Sequence, residues 1–409
     1  MAGGMVLLAL PLIAVVLATG LAFPAQTDEV KFHWEVAQQF GMALPAVPWA
    51  DYHAATTPLP YVAWGAWGRL FGFSLPALRA LTVIVSYLGI MAFYDLAQRR
   101  GHPSPLVESL LLLFSPYIFL NSFTLYTVNM GLAFQVLALR FYLDEKQTGW
   151  KKWALGGAAT TAAIYCRQHY LFMTIGLGIA WLIERMRGRH ISLADLRDLG
   201  LIIAPAALVA PLFIIWGGFT PPDFQALHPL EARLDHVNFL VVLIGLYCAP
   251  LGIVAWPALW RWGKKMLWLS LGLPIYALCP PRFEAWGPAG EQGLILRGLQ
   301  LIGQWSSIPV AMGGQLTLWL NGLAVGAVAW RGDGFRNRES LTLWSMTAAF
   351  AGVLLISSFV GERFYALIMP VLLLLLYPRL ASQPAVRGMW LVMMAGLGLA
   401  YSMFKLRGG

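Results

Sequence analysis

Asp28 and Glu29 form an acidic pair just past an apolar run, Met5 to Phe23, and His33 follows Glu29 by four positions. The stretch Asp28 to Phe40 has helical character, which puts Glu29 and His33 on one face. A carboxylate held there could act as a general base. The same residues have a plain structural use as well. Thr27 is a good N-cap, and acidic side chains in a first helical turn are favoured by the macrodipole. A divalent metal on Asp28, Glu29 and His33 is a weaker alternative, because no second ligand cluster has a recognisable spacing. A proline-punctuated section, Pro45 to Pro60, then brings Asp51, Tyr52, His53, Thr56 and Thr57. Asp51 and His53 are candidates to line an acceptor site, although turn chemistry accounts for Asp51 nearly as well. Two cations at the ends of apolar runs, Arg167 and Arg363, could meet a phosphate; the simpler reading of each is an interfacial anchor.

The elements that must position these residues are membrane helices. Of the 409 residues 59% are hydrophobic and 11% charged, against roughly half and a quarter in soluble domains. The apolar runs are too long and too uniform for barrel strands, and helices satisfy their own backbone in hydrocarbon. The fold class expected is therefore all-α, a polytopic transmembrane bundle. After Met5–Phe23, which lacks the basic start of a signal peptide, spans are predicted at Pro76–Leu96, Pro105–Ser122, Leu125–Leu143, Trp153–Tyr165, Tyr170–Ile183 and Gly200–Trp216. Val237–Trp260, Met266–Cys279, Pro309–Trp330, Leu341–Val360, Phe364–Tyr377 and Gly388–Phe404 complete a set of about thirteen.

The net charge of +9 sits in short clusters between these runs, such as Arg99/Arg100, Lys146/Lys151/Lys152, Arg261/Lys264/Lys265 and Arg379/Arg387. Such clusters in alternate loops follow the positive-inside rule, not the pattern of a nucleic-acid binder, and place the amino terminus in the cytoplasm. The parity requires Leu59–Phe73 to lie on the outer surface instead of spanning. Residues 24–75 then form an exoplasmic loop within one membrane domain, 1–409, with no soluble C-terminal domain expected. Two more outer loops are long, Gly217–His236 and Pro280–Ile308, the latter with an amphipathic stretch at Gly293–Trp305 that could lie in the interface or close over the site. Cys166, Cys248 and Cys279 are isolated in apolar context and read as inert thiols. Gly313-Gly314 and Gly322 read as sites of close helix packing.

Several short motifs now fall into an order. The acidic pair is followed by Phe32-His33 and Ala37-Gln38, then by Thr56-Thr57 with Pro58, Pro60 and Tyr61. Tyr126-Thr127 stands at a span entrance, Arg167-Gln168 at the outer end of a span, and Arg363-Phe364-Tyr365 near the carboxyl end. This series resembles the GT-C superfamily of membrane glycosyltransferases, and within it the dolichyl-phosphate-glucose α-1,2-glucosyltransferase family. The likeness is carried mainly by the part up to Arg167-Gln168. It departs from that family by one extra residue between the acidic pair and Phe32, by Val128 in place of an Asp, and by His169 in place of a Thr.

The resemblance implies an inverting transfer of a sugar from a polyprenyl-phosphate donor to a lipid-linked, protein or glycan acceptor at the exoplasmic face, with no cofactor. The leaving group is already a phosphate and needs no general acid. One carboxylate must take the proton of the attacking hydroxyl, and direct displacement inverts C1. The family's acidic pair makes Asp28 the first candidate for that base and Glu29 the second. Arg363 and Arg167 would stabilise the departing phosphate. His33 would support the acidic pair, and Tyr126, Gln168, Asp51 and His53 would contact substrate. A transporter or lipid-carrier flippase is the competing class, since such proteins also thread the membrane many times. They place ionisable residues at mid-membrane, however, whereas here the acidic pair lies outside and Glu108 and Arg140 sit near span ends. A non-catalytic assembly subunit of the same fold is a third reading. The short loops favour a bacterial inner membrane, with the endoplasmic reticulum as the alternative.

Overall fold

Apolar runs that cannot offer their backbone to lipid fold as helices, and helix dominates the computed structural model. It describes residues 2–144, 149–188, 192–226, 229–263, 272–281, 308–335, 337–357 and 361–406. Every predicted span that falls on these residues is helical, and among them the only β-type pairing is an isolated antiparallel bridge between Leu230 and Ser357. The stretch Gly293–Trp305 lies outside the described residues. The chain packs as two compact units, 1–229 with 397–409, and 230–396.

In the first unit, α1 (Ala2–Thr19) stops short of the predicted Phe23. Gly20 and Leu21 take positive φ angles of 56° and 59°, a conformation that a helix cannot continue through. α2 (Glu35–Ala43) and α3 (Leu59–Phe71) form a packed pair. They meet backbone to backbone: a Cβ on Gly65 would stand 2.6 Å from the amide nitrogen of Gly41. α3 has a buried stripe of Pro60, Tyr61, Trp64, Gly65 and Gly68 and an exposed end at Leu70 and Phe71.

α4 (Leu75–Arg99) is capped by Ser74 and packs on α3, α5 and α7. α5 (Pro105–Leu113) and α6 (Pro116–Asn121) replace one predicted span, Pro105–Ser122. Ser115 precedes a proline and turns to φ −53°, ψ 128°, because the proline ring crowds the helical conformation of the residue before it. α7 (Thr127–Tyr142) lies between α4 and α8 (Trp150–Cys166), and its many buried residues make it an inner helix. α9 (Leu171–Arg187) and α10 (Leu193–Trp216) follow. α10 opens on a reciprocal Ser192–Asp195 capping box and ends at left-handed Gly217. A single turn, α11 (Pro222–Gln225), lies in the next loop.

In the second unit the predicted span Val237–Trp260 is broken. α12 (Leu234–Tyr247) and α13 (Gly252–Trp260) are bent by 76° across a turn holding Pro250, which has no N–H to extend the ladder. α14 (Gly272–Leu278), α15 (Ile308–Asp333), α16 (Arg338–Leu355) and α17 (Tyr365–Leu380) follow, and α18 (Pro384–Leu406) completes the chain, its residues from Leu397 on belonging to the first unit. Gly245 of α12 and Gly322 of α15 touch through their backbones, whereas Gly313 and Gly314 hold no helix close among the described residues. α17 is buried along nearly its whole length.

Among the described residues, α4, α10, Glu362–Leu380 and α18 are each long and apolar enough to cross a bilayer by themselves, and the bent α12–α13 pair qualifies when its halves are taken together. Leu17, Met186, Ile214 and Val392 stand out from the surface, as side chains in contact with lipid do. The protein is an integral membrane protein.

Candidate active site

The acidic loop leaves the end of α1 and re-enters helix at Thr27. Glu29–Trp34 then forms a π turn that runs directly into α2. A π turn holds one more residue than an α turn, and such turns recur at functional sites. The extra residue that separates this loop from the family pattern falls within it. The buried face reads Glu29, His33, Val36, Ala37 and Phe40, so Glu29 and His33 do share a side of the helix.

Glu29 is fully buried, and N–H donors from three segments reach its carboxylate. Arg79 Nε donates to Oε1 at 2.9 Å and Arg79 Nη2 donates to Oε2. The Leu125 amide donates to Oε1 at 2.9 Å and the Gln26 amide to Oε2 at 3.2 Å. Arg79 is equally buried. Its Nη1 donates to the carbonyls of Leu21 (2.8 Å) and Phe23 (2.9 Å), and its Cζ stands 3.9 Å from the centroid of the Phe23 ring. The guanidinium thus ties the loop to α4 and to the chain leaving α1. This accounts for Glu29, the second candidate base: its oxygens are taken up in a clamp. It also leaves the Asp28, Glu29 and His33 metal alternative without open coordination on Glu29. Asp28 lies about 100° further round the helix and is half-buried.

Arg79 was not among the sequence candidates. The available signal was an arginine one turn into a 25-residue apolar helix, since a charge so placed needs a partner. Nothing in the local sequence says that the partner is fifty positions away.

Beside the clamp is a buried polar network. His33 Nδ1 hydrogen-bonds the Tyr61 hydroxyl at 2.9 Å, and that hydroxyl meets Thr56 Oγ1 at 2.7 Å. The His33 ring also packs on Tyr61, Trp64 and Tyr126, with centroids 5.8, 6.1 and 5.5 Å away. Burial pushes the Tyr61 phenol well above its ordinary range, although the Thr56 bond and the charge of Arg167 pull it down. Tyr61 therefore keeps its proton at neutral pH. The Tyr52 hydroxyl donates to the Thr56 carbonyl at 2.7 Å, and burial likewise raises its pKa.

Long-range contacts close the cluster. Thr57 Oγ1 donates to the Ile164 carbonyl at 2.7 Å, and Gln168 Nε2 donates to the Ala55 carbonyl at 2.9 Å. Arg167 Nη1 stands 3.5 Å from Thr127 Oγ1. The motifs Phe32-His33, Thr56-Thr57, Tyr61, Tyr126-Thr127 and Arg167-Gln168, scattered in sequence, are thus brought together. Gln168 Oε1 is buried and accepts from no donor among the described residues, the condition of an acceptor that a ligand could satisfy. Asp51 and His53 are exposed on the loop between α2 and α3, with His53 Nδ1 at 3.6 Å from Asp223 Oδ2. Arg363 belongs to the second unit, half-buried on the short turn Glu362–Phe364 that opens α17.

Residues 56–216 match the family described as dolichyl-phosphate-mannose-protein mannosyltransferase. The match takes in Tyr61, Arg79, Tyr126, Arg167 and Gln168 and begins downstream of the acidic pair. No curated protein matches the chain. The fold is similar to two crystal structures of ArnT from Cupriavidus metallidurans, one in the apo state (17% identity, TM-score 0.51) and one bound to undecaprenyl phosphate (16%, 0.52). Each comparison covers 98% of this chain but 64% of that one, so the chain spans less than two thirds of the length of ArnT. The fold is accordingly polytopic and helical, similar to that of ArnT.

Proposed function

We propose that this chain is an inverting glycosyltransferase that moves a sugar from a polyprenyl-phosphate donor to an acceptor hydroxyl at the exoplasmic face of the membrane. The observation that carries this reading is the Glu29–Arg79 clamp. It fixes the acidic loop in a GT-C fold with Asp28 beside, and outside, the carboxylate that the clamp consumes. Asp28 Oδ takes the proton of the acceptor hydroxyl as that oxygen forms its bond to C1. The bond from C1 to the phosphate oxygen breaks, its electron pair leaves with the polyprenyl phosphate, and C1 inverts. Arg167, whose charge reaches the Tyr61 phenol, supplies positive charge for the departing phosphate.

The ArnT structure with undecaprenyl phosphate supports a polyprenyl phosphate as the lipid, and the mannosyltransferase match over 56–216 supports a hexose as the sugar. The alternation of basic loops supports an exoplasmic site, and the short loops favour a bacterial inner membrane. The transporter reading has one structural feature in its favour, the 76° break between α12 and α13, since broken helices line transporter sites. It leaves the convergence of motif residues around His33 and Tyr61 without a purpose.

The test is transfer of radiolabel from polyprenyl-phosphate hexoses to a crude lipid and glycan extract by the purified full chain. Asp28→Asn is expected to lower transfer by about 10²–10⁴-fold while donor binding is kept. Undiminished transfer by Asp28→Asn, Glu29→Gln and the double variant would remove the base. Absence of any donor binding by the wild type would return the chain to the transporter class.

A further inference from the structure

Phe32 lies one turn beyond Asp28 on the same helix, roughly 6 Å along its axis, and is half-buried. Its ring is one of three that meet edge and face. The Phe32 and His53 centroids are 5.4 Å apart, Phe32 and Phe224 5.7 Å, and His53 and Phe224 5.2 Å. Phe224 is buried and forms the base of the group. The His53 side chain is 63% exposed and that of Asp223 57% exposed, and their 3.6 Å separation is too long for a strong hydrogen bond. Both side chains keep more than half of their surface open to another partner.

The group is built from three segments, and two of them are tied to the end of α10. Trp216 Nε1 donates to the Trp49 carbonyl at 2.9 Å, which fastens the loop carrying His53. Gln225 Nε2 donates to the Trp216 and Thr220 carbonyls, which fastens the turn carrying Asp223 and Phe224. Aromatic rings backed by a buried phenylalanine, and edged by an imidazole and a carboxylate, suit a ligand with a C–H face and a hydroxyl rim. A sugar ring has both. A phosphate would be repelled by Asp223 and by the exposed Asp51 on the same loop as His53, and an acyl chain would leave His53 and Asp223 unsatisfied.

We propose that Phe32, His53, Asp223 and Phe224 form a shelf that binds a saccharide ring of the acceptor, so that the acceptor is a glycan whose hydroxyl is presented to Asp28. The role as acceptor site rests on the glycosyltransferase reading; the binding of saccharide does not. Saturation-transfer NMR tests it on the full chain in glycolipid-free nanodiscs, with no glycoside detergent to compete. The probes are methyl glycosides of cellobiose, mannobiose and chitobiose, each measured alone.

At least one probe is expected to receive saturation at its ring C–H protons, from wild type and Asp28→Asn alike. Asp223→Asn and His53→Ala are expected to weaken that binding by about fivefold or more, about 1 kcal/mol. Both residues are exposed, so these variants fold, and Phe32→Ala serves as the apolar counterpart. No saturation of any probe, or saturation unchanged in Asp223→Asn and His53→Ala, overturns the shelf. The two proposals fail separately. Saccharide binding without sugar transfer keeps the shelf and removes the enzyme, whereas transfer to a peptide or lipid hydroxyl without saccharide binding keeps the enzyme and removes the shelf.

Discussion

Near the start of α4, Arg79 meets Glu29 out of reach of solvent; sixteen residues on, about 24 Å along the axis, Asp95 meets Arg99 and Arg140 partly in solvent. Both join arginine to a carboxylate, and the arrangements differ. At the first end both groups are fully buried, and backbone groups of Leu21, Phe23, Gln26 and Leu125 complete what the ion pair leaves over. At the second, one carboxylate oxygen, Asp95 Oδ2, accepts from Arg99 Nε and Arg140 Nε, each at 2.7 Å. A buried charge must have every hydrogen bond supplied by protein, so it fixes the backbone that supplies them. A charge at the water boundary can exchange its partner for solvent and fixes little. The first pair can therefore position the acidic loop, and the second can only help to join α4 to α7.

The largest effect follows from breaking the buried end. Arg79→Ala leaves an uncompensated carboxylate and two orphaned carbonyls, and should cost about 3–5 kcal/mol, read as a fall in thermal midpoint or in the yield of folded protein. Replacing both partners by apolar residues, as in Arg79→Leu with Glu29→Leu, should recover part of that stability, because no buried charge remains. Sugar transfer should stay low in this double variant, since nothing then holds Asp28 in place. Recovery of transfer together with stability would show that the clamp is a fold element alone and would erase the contrast with Asp95.

A smaller effect is expected where the same loop depends on packing and not on charge. Gly65→Ala puts a methyl group 2.6 Å from the backbone nitrogen of Gly41, and backbone cannot swing aside as a side chain can. Separation of α2 and α3 should cost about 1–3 kcal/mol, measured as a lower thermal midpoint. It should also lower transfer, because Tyr61 and Phe40 are carried by these two helices and pack together. A stable Gly65→Ala protein with full transfer would mean that the clamp holds the loop without help from this packing.

The same two ends show what could be read from the chain and what could not. Apolar runs and alternating basic clusters were enough for an all-helical membrane fold, because lipid leaves the backbone little choice. The places where spans were misjudged have local causes that are visible afterwards: Pro116 splits α5 from α6, Pro250 marks the bend after α12, and Gly20 ends α1 early. Asp28 and Glu29 were legible as an acidic pair next to an apolar run. The clamp on Glu29 was not, since it is made by Arg79, Leu125 and Gln26, only the last of which is a neighbour in sequence. Asp223 and Phe224 escaped notice for the same reason, because their meaning depends on Phe32 and His53.

The smallest effect belongs to the solvent end of α4. Asp95→Asn removes a carboxylate shared by two arginines, each of which keeps access to water: the Arg99 side chain is 48% exposed and that of Arg140 28%. Exposed pairs contribute about 0–1 kcal/mol, so the thermal midpoint should move little and transfer should be unaffected. What small shift remains should shrink as salt is raised from about 0.01 M to 0.15 M, over which the screening length falls from about 30 Å to 8 Å. The Arg79→Ala defect should show no such dependence, because solvent ions do not reach the buried pair. A large, salt-insensitive loss in Asp95→Asn would place both ends of α4 in one class, and burial would no longer account for the difference between them.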